Sequence, residues 1–87
     1  MRPETDRKLR QILEEVLALP PGMADSFTDD SGLFGELPEL DSMAVAGLLT
    51  EMEDRFGIVI DEGEIDGDIF ATYGDLLSFT VAKREAA

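Results

Sequence analysis

Cysteine and histidine are both missing from this chain of 87 residues. Without cysteine there is no disulfide framework, no thiolate nucleophile and no soft metal site made by the protein. Without histidine the usual general base near neutral pH is gone, and proton transfer is left to carboxylates, lysine and Tyr73. An enzymatic role and a catalytic residue set are therefore not expected. Apolar runs are short as well: none approaches the roughly 20 residues that cross a bilayer, and Met1 to Gln11 is charged rather than apolar. A soluble, cytoplasmic protein is the expectation.

Positive charge is the other scarce commodity. Seven basic residues face 20 acidic ones, a formal charge of -13. Seventeen of the acids, all but Glu4, Asp6 and Glu85, lie between Gln11 and Ala82, where Arg55 is the one base. Such a stretch repels phosphate backbones and anionic lipid headgroups, so nucleic acid and membrane are poor partners.

What the chain does have is apolar residues, 44% of the total, recurring at helical spacing as a disordered acidic tail would not. The length allows one domain, residues 1–87 with an ordered core of about 5–84, monomeric and with little stability to spare. Leu9, Ile12, Leu13, Val16 and Leu17 make one stripe of a first helix over Asp6 to Leu19, ended by Pro20, Pro21 and Gly22. Met23 to Leu40 reads as a long loop, pinned by Phe27, Leu33, Phe34 and Leu37. A second helix starts at Asp41 or Ser42 and runs to Phe56, with Gly57 as a left-handed stop. Its inner stripe is Val45, Leu48, Leu49, Met52 and Phe56, which puts Met43, Gly47, Thr50, Glu51 and Asp54 on the outer face. Ile58 to Ile60 reads as a buried connector. Glu62 to Phe70 can hold a short, irregular third helix, and Thr72 with Asp75 resembles a capping box for a last helix from Tyr73 to about Arg84. The fold class is all-α, a four-helix bundle of three longer helices and one short one.

The carboxylates of Asp61 to Asp68 invite a calcium reading. They fail the required loop pattern, since no window places acids and glycine at the needed positions with a closing Glu. No metal site is expected.

The segment Leu40-Asp41-Ser42-Met43, followed by the helix VAGLLTEMEDRFGI, carries the most information. Together with the first amphipathic helix, the long loop, the Phe-Gly helix end and the closing TYGDLLSF, it resembles the acyl carrier protein family. The resemblance implies that Ser42 receives 4'-phosphopantetheine from coenzyme A, through a phosphopantetheinyl transferase, and carries acyl groups as thioesters. A serine at a helix start lies beside unpaired backbone N–H groups, where a phosphodiester is favoured by about 0.3 to 1 kcal/mol. A chain without thiols also needs a borrowed one to hold acyl groups in reactive form. Asp41 has two open roles, capping the helix or helping the transferase organise metal and coenzyme A.

By the same resemblance Met43 and the acids Glu51, Glu53 and Asp54 would meet basic, partly apolar patches on acyl-loading, modifying and transferring enzymes. Carriers of ordinary fatty acid synthesis have acids one and four places after the apolar residue that follows the serine; this chain has Ala44 and Gly47. The thinned acidic face points to partners of a specialised pathway. Cargo would sit among Val45, Leu49, Phe56, Ile60 and Ile69 or stay on the solvent side. An aminoacyl or peptidyl carrier, and an unmodified acidic interaction module, are the alternatives.

Overall fold

The computed structural model describes residues 2–86. Three α-helices carry it: α1 (Arg2–Leu17), α2 (Ser42–Phe56) and α3 (Tyr73–Ala86), with 3₁₀ turns at Ala24–Ser26, Glu62–Glu64 and Gly67–Phe70. No strand forms among the described residues. The fold is all-helical, as the periodicity implies, and α1 packs against both α2 and α3.

The expected short helix over Glu62 to Phe70 is instead a pair of 3₁₀ turns. Asp61 and Asp66 each cap a new turn, the first through a capping box with Glu64 and the second by accepting from the N–H groups of Asp68 and Ile69. Two caps five residues apart, with Gly63 and Gly67 between and after them, restart the backbone before an α-helix can propagate. Helix α1 starts earlier than Asp6 and ends at Leu17, two residues short of the expected Leu19. Ala18 takes a left-handed φ of 52°, and the Leu19 N–H reaches back to the Glu14 carbonyl at 3.0 Å, a hydrogen-bonded helix stop that returns Leu19 to the core. Gly57, at φ 66°, ends α2 in the same manner, with the Ile58 N–H on the Glu53 carbonyl at 3.2 Å.

The core joins Leu9, Ile12, Leu13 and Leu17 of α1, Leu48, Met52 and Phe56 of α2, and Tyr73, Leu76 and Leu77 of α3. Burying one such leucine is worth about 1.5 to 3 kcal/mol. Two expectations about burial fail. Val59 in the connector is exposed while Ile58 beside it is buried, because an extended segment turns alternate side chains outward. Phe34 is 49% exposed rather than pinning the loop; Phe27 and Leu33 do that work.

Polar bonds tie the long loop to the helices. Arg10 on α1 donates to the Ala24 carbonyl at 2.6 Å and the Phe27 carbonyl at 2.9 Å, and Glu14 accepts from the Ala24 N–H at 3.1 Å. Arg10 also pairs with Asp6 at 2.9 Å and lies 4.5 Å from the centre of the Tyr73 ring. The Tyr73 hydroxyl donates in turn to the Asp6 carboxylate. Burial pushes the Tyr73 hydroxyl pKa up, and Asp6 adds to the effect. Burial would raise Asp6 too, but the bonds from Tyr73 and Arg10 outweigh it and leave its pKa below the ordinary value. Further along, the Leu33 and Phe34 N–H groups donate to the Ala71 and Phe70 carbonyls at 3.1 and 2.9 Å, and those of Tyr73 and Gly74 donate to the Ser31 and Asp29 carbonyls at 2.8 and 3.0 Å. The loop thus runs beside the start of α3 and brings Phe34 next to Phe70.

Candidate functional site

Helix α2 begins where the loop's last buried residue, Leu40, releases the chain to the surface. Asp41 is extended, at φ -97° and ψ -176°. Its carboxylate accepts from the Ala44 N–H at 2.8 Å, and its carbonyl accepts from the Val45 N–H at 2.9 Å. Asp41 is therefore the cap, and Ser42 is the first residue inside the helix. That division frees the Ser42 hydroxyl from capping. Ser42 is exposed, and its own N–H and that of Met43 belong to the helix start, where no carbonyl of the helix reaches them.

Beside Ser42 lies a groove of about 340 Å³. The loop contributes Phe34, α2 contributes Ser42 and Val45, and the 3₁₀ turns contribute Ile65, Asp66, Gly67 and Phe70. Asp66 is the one charged group of the lining, and its carboxylate is occupied with the Asp68 and Ile69 N–H groups at 2.9 and 3.3 Å. The far wall is anchored to α3 by Glu64, which accepts from Lys83 at 2.9 Å through both oxygens. The Asp61 N–H first, then Lys83, hold the Glu64 carboxyl below its ordinary pKa. An exposed hydroxyl, free N–H groups for an anion and an open groove alongside are what a phosphodiester bearing a long flexible arm requires. The residues present fit such a group.

The other residues singled out from the sequence are more scattered. Met43 is 85% exposed one step from Ser42, and Asp54 is exposed further along α2. Glu51 is half-buried and pairs with Arg55 at 3.0 Å, while Arg55 also holds Glu15; these contacts, Glu15 first, raise the Arg55 pKa. Glu53 is turned to internal use, accepting from the Ile60 N–H at 2.8 Å. Val45 lines the groove. Leu49, Ile60 and Ile69 are half-buried elsewhere, and Phe56 is buried with the Arg84 guanidinium 5.1 Å from its ring centre. Sequence reasoning did not assign Phe34, Ile65, Gly67 or Phe70 to the site. Phe34 lay in the long loop and Ile65, Gly67 and Phe70 in the segment expected to be the short helix, and no local signal joins the two.

The model of the family described as the phosphopantetheine attachment site matches residues 7–79. The chain belongs to this family. This phosphopantetheine carrier is also similar to a solved structure, the solution NMR structure of a holo acyl carrier protein from Nitrosomonas europaea. The two share 35% identity over 94% of this chain and 96% of that one, with a TM-score of 0.80. Among curated proteins nothing matches. The protein is thus a carrier of covalent 4'-phosphopantetheine rather than an enzyme, and it works with a phosphopantetheinyl transferase and acyl-handling enzymes. Among the described residues no helix is long and apolar enough to cross a membrane, and no group of three or more acidic side chains is placed to hold a metal ion.

Proposed function

We propose that this carrier holds acyl intermediates as thioesters on 4'-phosphopantetheine attached to Ser42. The observation that supports it most is the division of labour at the start of α2: Asp41 takes the cap, and Ser42 keeps an exposed hydroxyl beside unpaired N–H groups and an apolar groove. When bound, the group supplies the thiol that the sequence lacks. The Ser42 oxygen accepts the phosphopantetheinyl phosphorus from coenzyme A, with 3',5'-adenosine bisphosphate leaving and the hydroxyl proton lost. The N–H groups of the first turn hold the resulting diester, and Phe34 and Val45 offer apolar surface beyond it.

Partner enzymes meet the protein around Met43, whose exposed thioether suits an apolar socket. Ala44 and Gly47 leave that first turn and a half of α2 without carboxylates, and Glu51 and Glu53 are engaged with Arg55 and Ile60. Asp54 is the exposed acid of the original set. A docking surface this sparse in free acid fits dedicated enzymes of a specialised pathway better than the strongly basic patches that read fatty acid synthesis carriers. Incubation with coenzyme A and a permissive transferase tests the attachment: the intact chain gains one phosphopantetheinyl mass and Ser42→Ala gains none. An unmodified wild-type chain would refute the reading, and efficient replacement of a host's fatty acid carrier would refute the specialised partners.

A further inference from the structure

Three large apolar side chains stay exposed, Phe34, Met43 and Val59, and two of them flank Ser42. Met43 follows it in the chain, and Phe34 lines the same groove. Exposure denies a phenylalanine the burial that would stabilise the fold, yet this one is held in place. The Leu33 and Phe34 N–H groups are bonded to the Ala71 and Phe70 carbonyls, and the Glu36 and Leu37 N–H groups return to the Leu33 carbonyl at 3.1 and 2.8 Å. Leu33 and Leu40 are buried at either end of the segment. Phe34 is therefore apolar surface presented on a fastened turn, which a partner can cover with little loss of freedom.

Charge is distributed in the same way. From Ser42 to Thr50 helix α2 carries no charged residue, and Asp41, Glu51 and Glu53 are engaged with the Ala44 N–H, Arg55 and the Ile60 N–H. On the loop, by contrast, Glu36 and Glu39 are exposed, and neither joins an ion pair among the described residues. Free acid and exposed aromatic surface thus occur together on the loop side of Ser42.

We infer that the phosphopantetheinyl transferase reads this loop, seating Phe34 in an apolar pocket whose rim carries lysine or arginine for Glu36 and Glu39. The inference rests on Ser42 as the attachment point. Transfer brings the coenzyme A phosphorus to within about 3 to 3.5 Å of the Ser42 oxygen, so the enzyme comes to rest over the apolar surface beside it. An aromatic anchor at the centre with charge at the rim is the arrangement in which a few residues carry most of the binding. Phe34 is then a specificity-determining residue of the carrier, touching the enzyme but not the reacting atoms.

Steady-state kinetics with coenzyme A, a permissive transferase and varied apo carrier test it, once mass spectrometry has located the adduct on the wild-type chain. Phe34→Ser is expected to raise KM for the carrier by about five-fold or more at unchanged kcat, and Phe34→Leu to recover most of that loss. The double variant Glu36→Gln, Glu39→Gln should raise KM by about two- to three-fold at low salt and make kcat/KM less sensitive to added sodium chloride. Asp25→Asn, an exposed acid at the other end of the loop, keeps the wild-type KM. Melting temperatures separate recognition from folding: a Phe34→Ser protein that loses kcat in step with its stability, with KM unmoved, overturns the aromatic contact. A KM unmoved in the double variant overturns the charged rim. Absence of the adduct from wild-type Ser42 overturns the attachment itself, and the inference with it.

Discussion

Replacing Arg10 with methionine should destabilise the carrier strongly for a residue that is partly exposed. The guanidinium bonds the Ala24 and Phe27 carbonyls at 2.6 and 2.9 Å and Asp6 at 2.9 Å, and it lies 4.5 Å from the Tyr73 ring centre. Each hydrogen bond to a charged group contributes about 1.5 to 3 kcal/mol, and a carbonyl left buried without a partner adds a desolvation penalty. Methionine restores the apolar stem but none of the bonds. The Arg10 side chain is 19% exposed, so water compensates part of the loss, and a net change of about 3 kcal/mol is reasonable. In a domain this size each 1 kcal/mol lowers the melting temperature by roughly 4 to 8 °C, which makes the expected fall about 12 to 24 °C. Urea denaturation followed by circular dichroism measures it directly, with exposed Arg7→Met as the control, expected within about 0.5 kcal/mol of wild type. Hydrogen exchange should quicken first in the loop from Ala24 to Leu40, while Leu48 and Met52 stay protected. An Arg10→Met protein as stable as the control would show that the Arg10 bonds contribute nothing to holding the loop.

Substitutions at Asp41 separate its two roles. Asp41→Ala loses the cap, worth about 1 kcal/mol, whereas Asp41→Asn keeps it; we expect Asn to retain the melting temperature but slow modification by the transferase, and an undiminished rate would assign Asp41 to capping alone. Backbone strain gives a pair of opposite signs: Gly57→Ala, at φ 66° with open space around it, should lose about 1 kcal/mol, and Ala18→Gly, at φ 52°, should gain up to about 1 kcal/mol. Equal melting temperatures for the two variants would contradict the helix stops described. The carboxyls of Glu4, Asp6 and Glu64 all have pKa values lowered by folding, Glu4 first through Arg84. They favour the folded state above their unfolded pKa, and that contribution is lost as pH falls through the folded values. Stability should therefore decline below about pH 4, and a melting temperature that keeps rising down to pH 3 would contradict it.

The start and end of α2 were legible in the sequence because their signals are local: an aspartate cap, a 3.6-residue apolar stripe and a glycine stop. So was the exposure of Met43, which follows from its angle on the helix. The segment from Glu62 to Phe70 misled because its apolar spacing suits a helix, while its two capping aspartates and interrupting glycines decide the backbone. Ala18 misled for another reason, since alanine carries no mark of a left-handed turn and the return of Leu19 to the core imposes it. The bond from Tyr73 to Asp6 spans 67 positions, and no local pattern announces it. The groove was invisible for the same cause. Phe34 and Phe70 become neighbours only through the pairing of the loop with the entry to α3.

Peptide-level mass spectrometry of the protein after reaction with coenzyme A and a transferase asks the central question most directly. Four serines compete, Ser26, Ser31, Ser42 and Ser78, and the account predicts the whole adduct on Ser42. An adduct on any of the other three, or an unchanged Ser42 peptide, would contradict it.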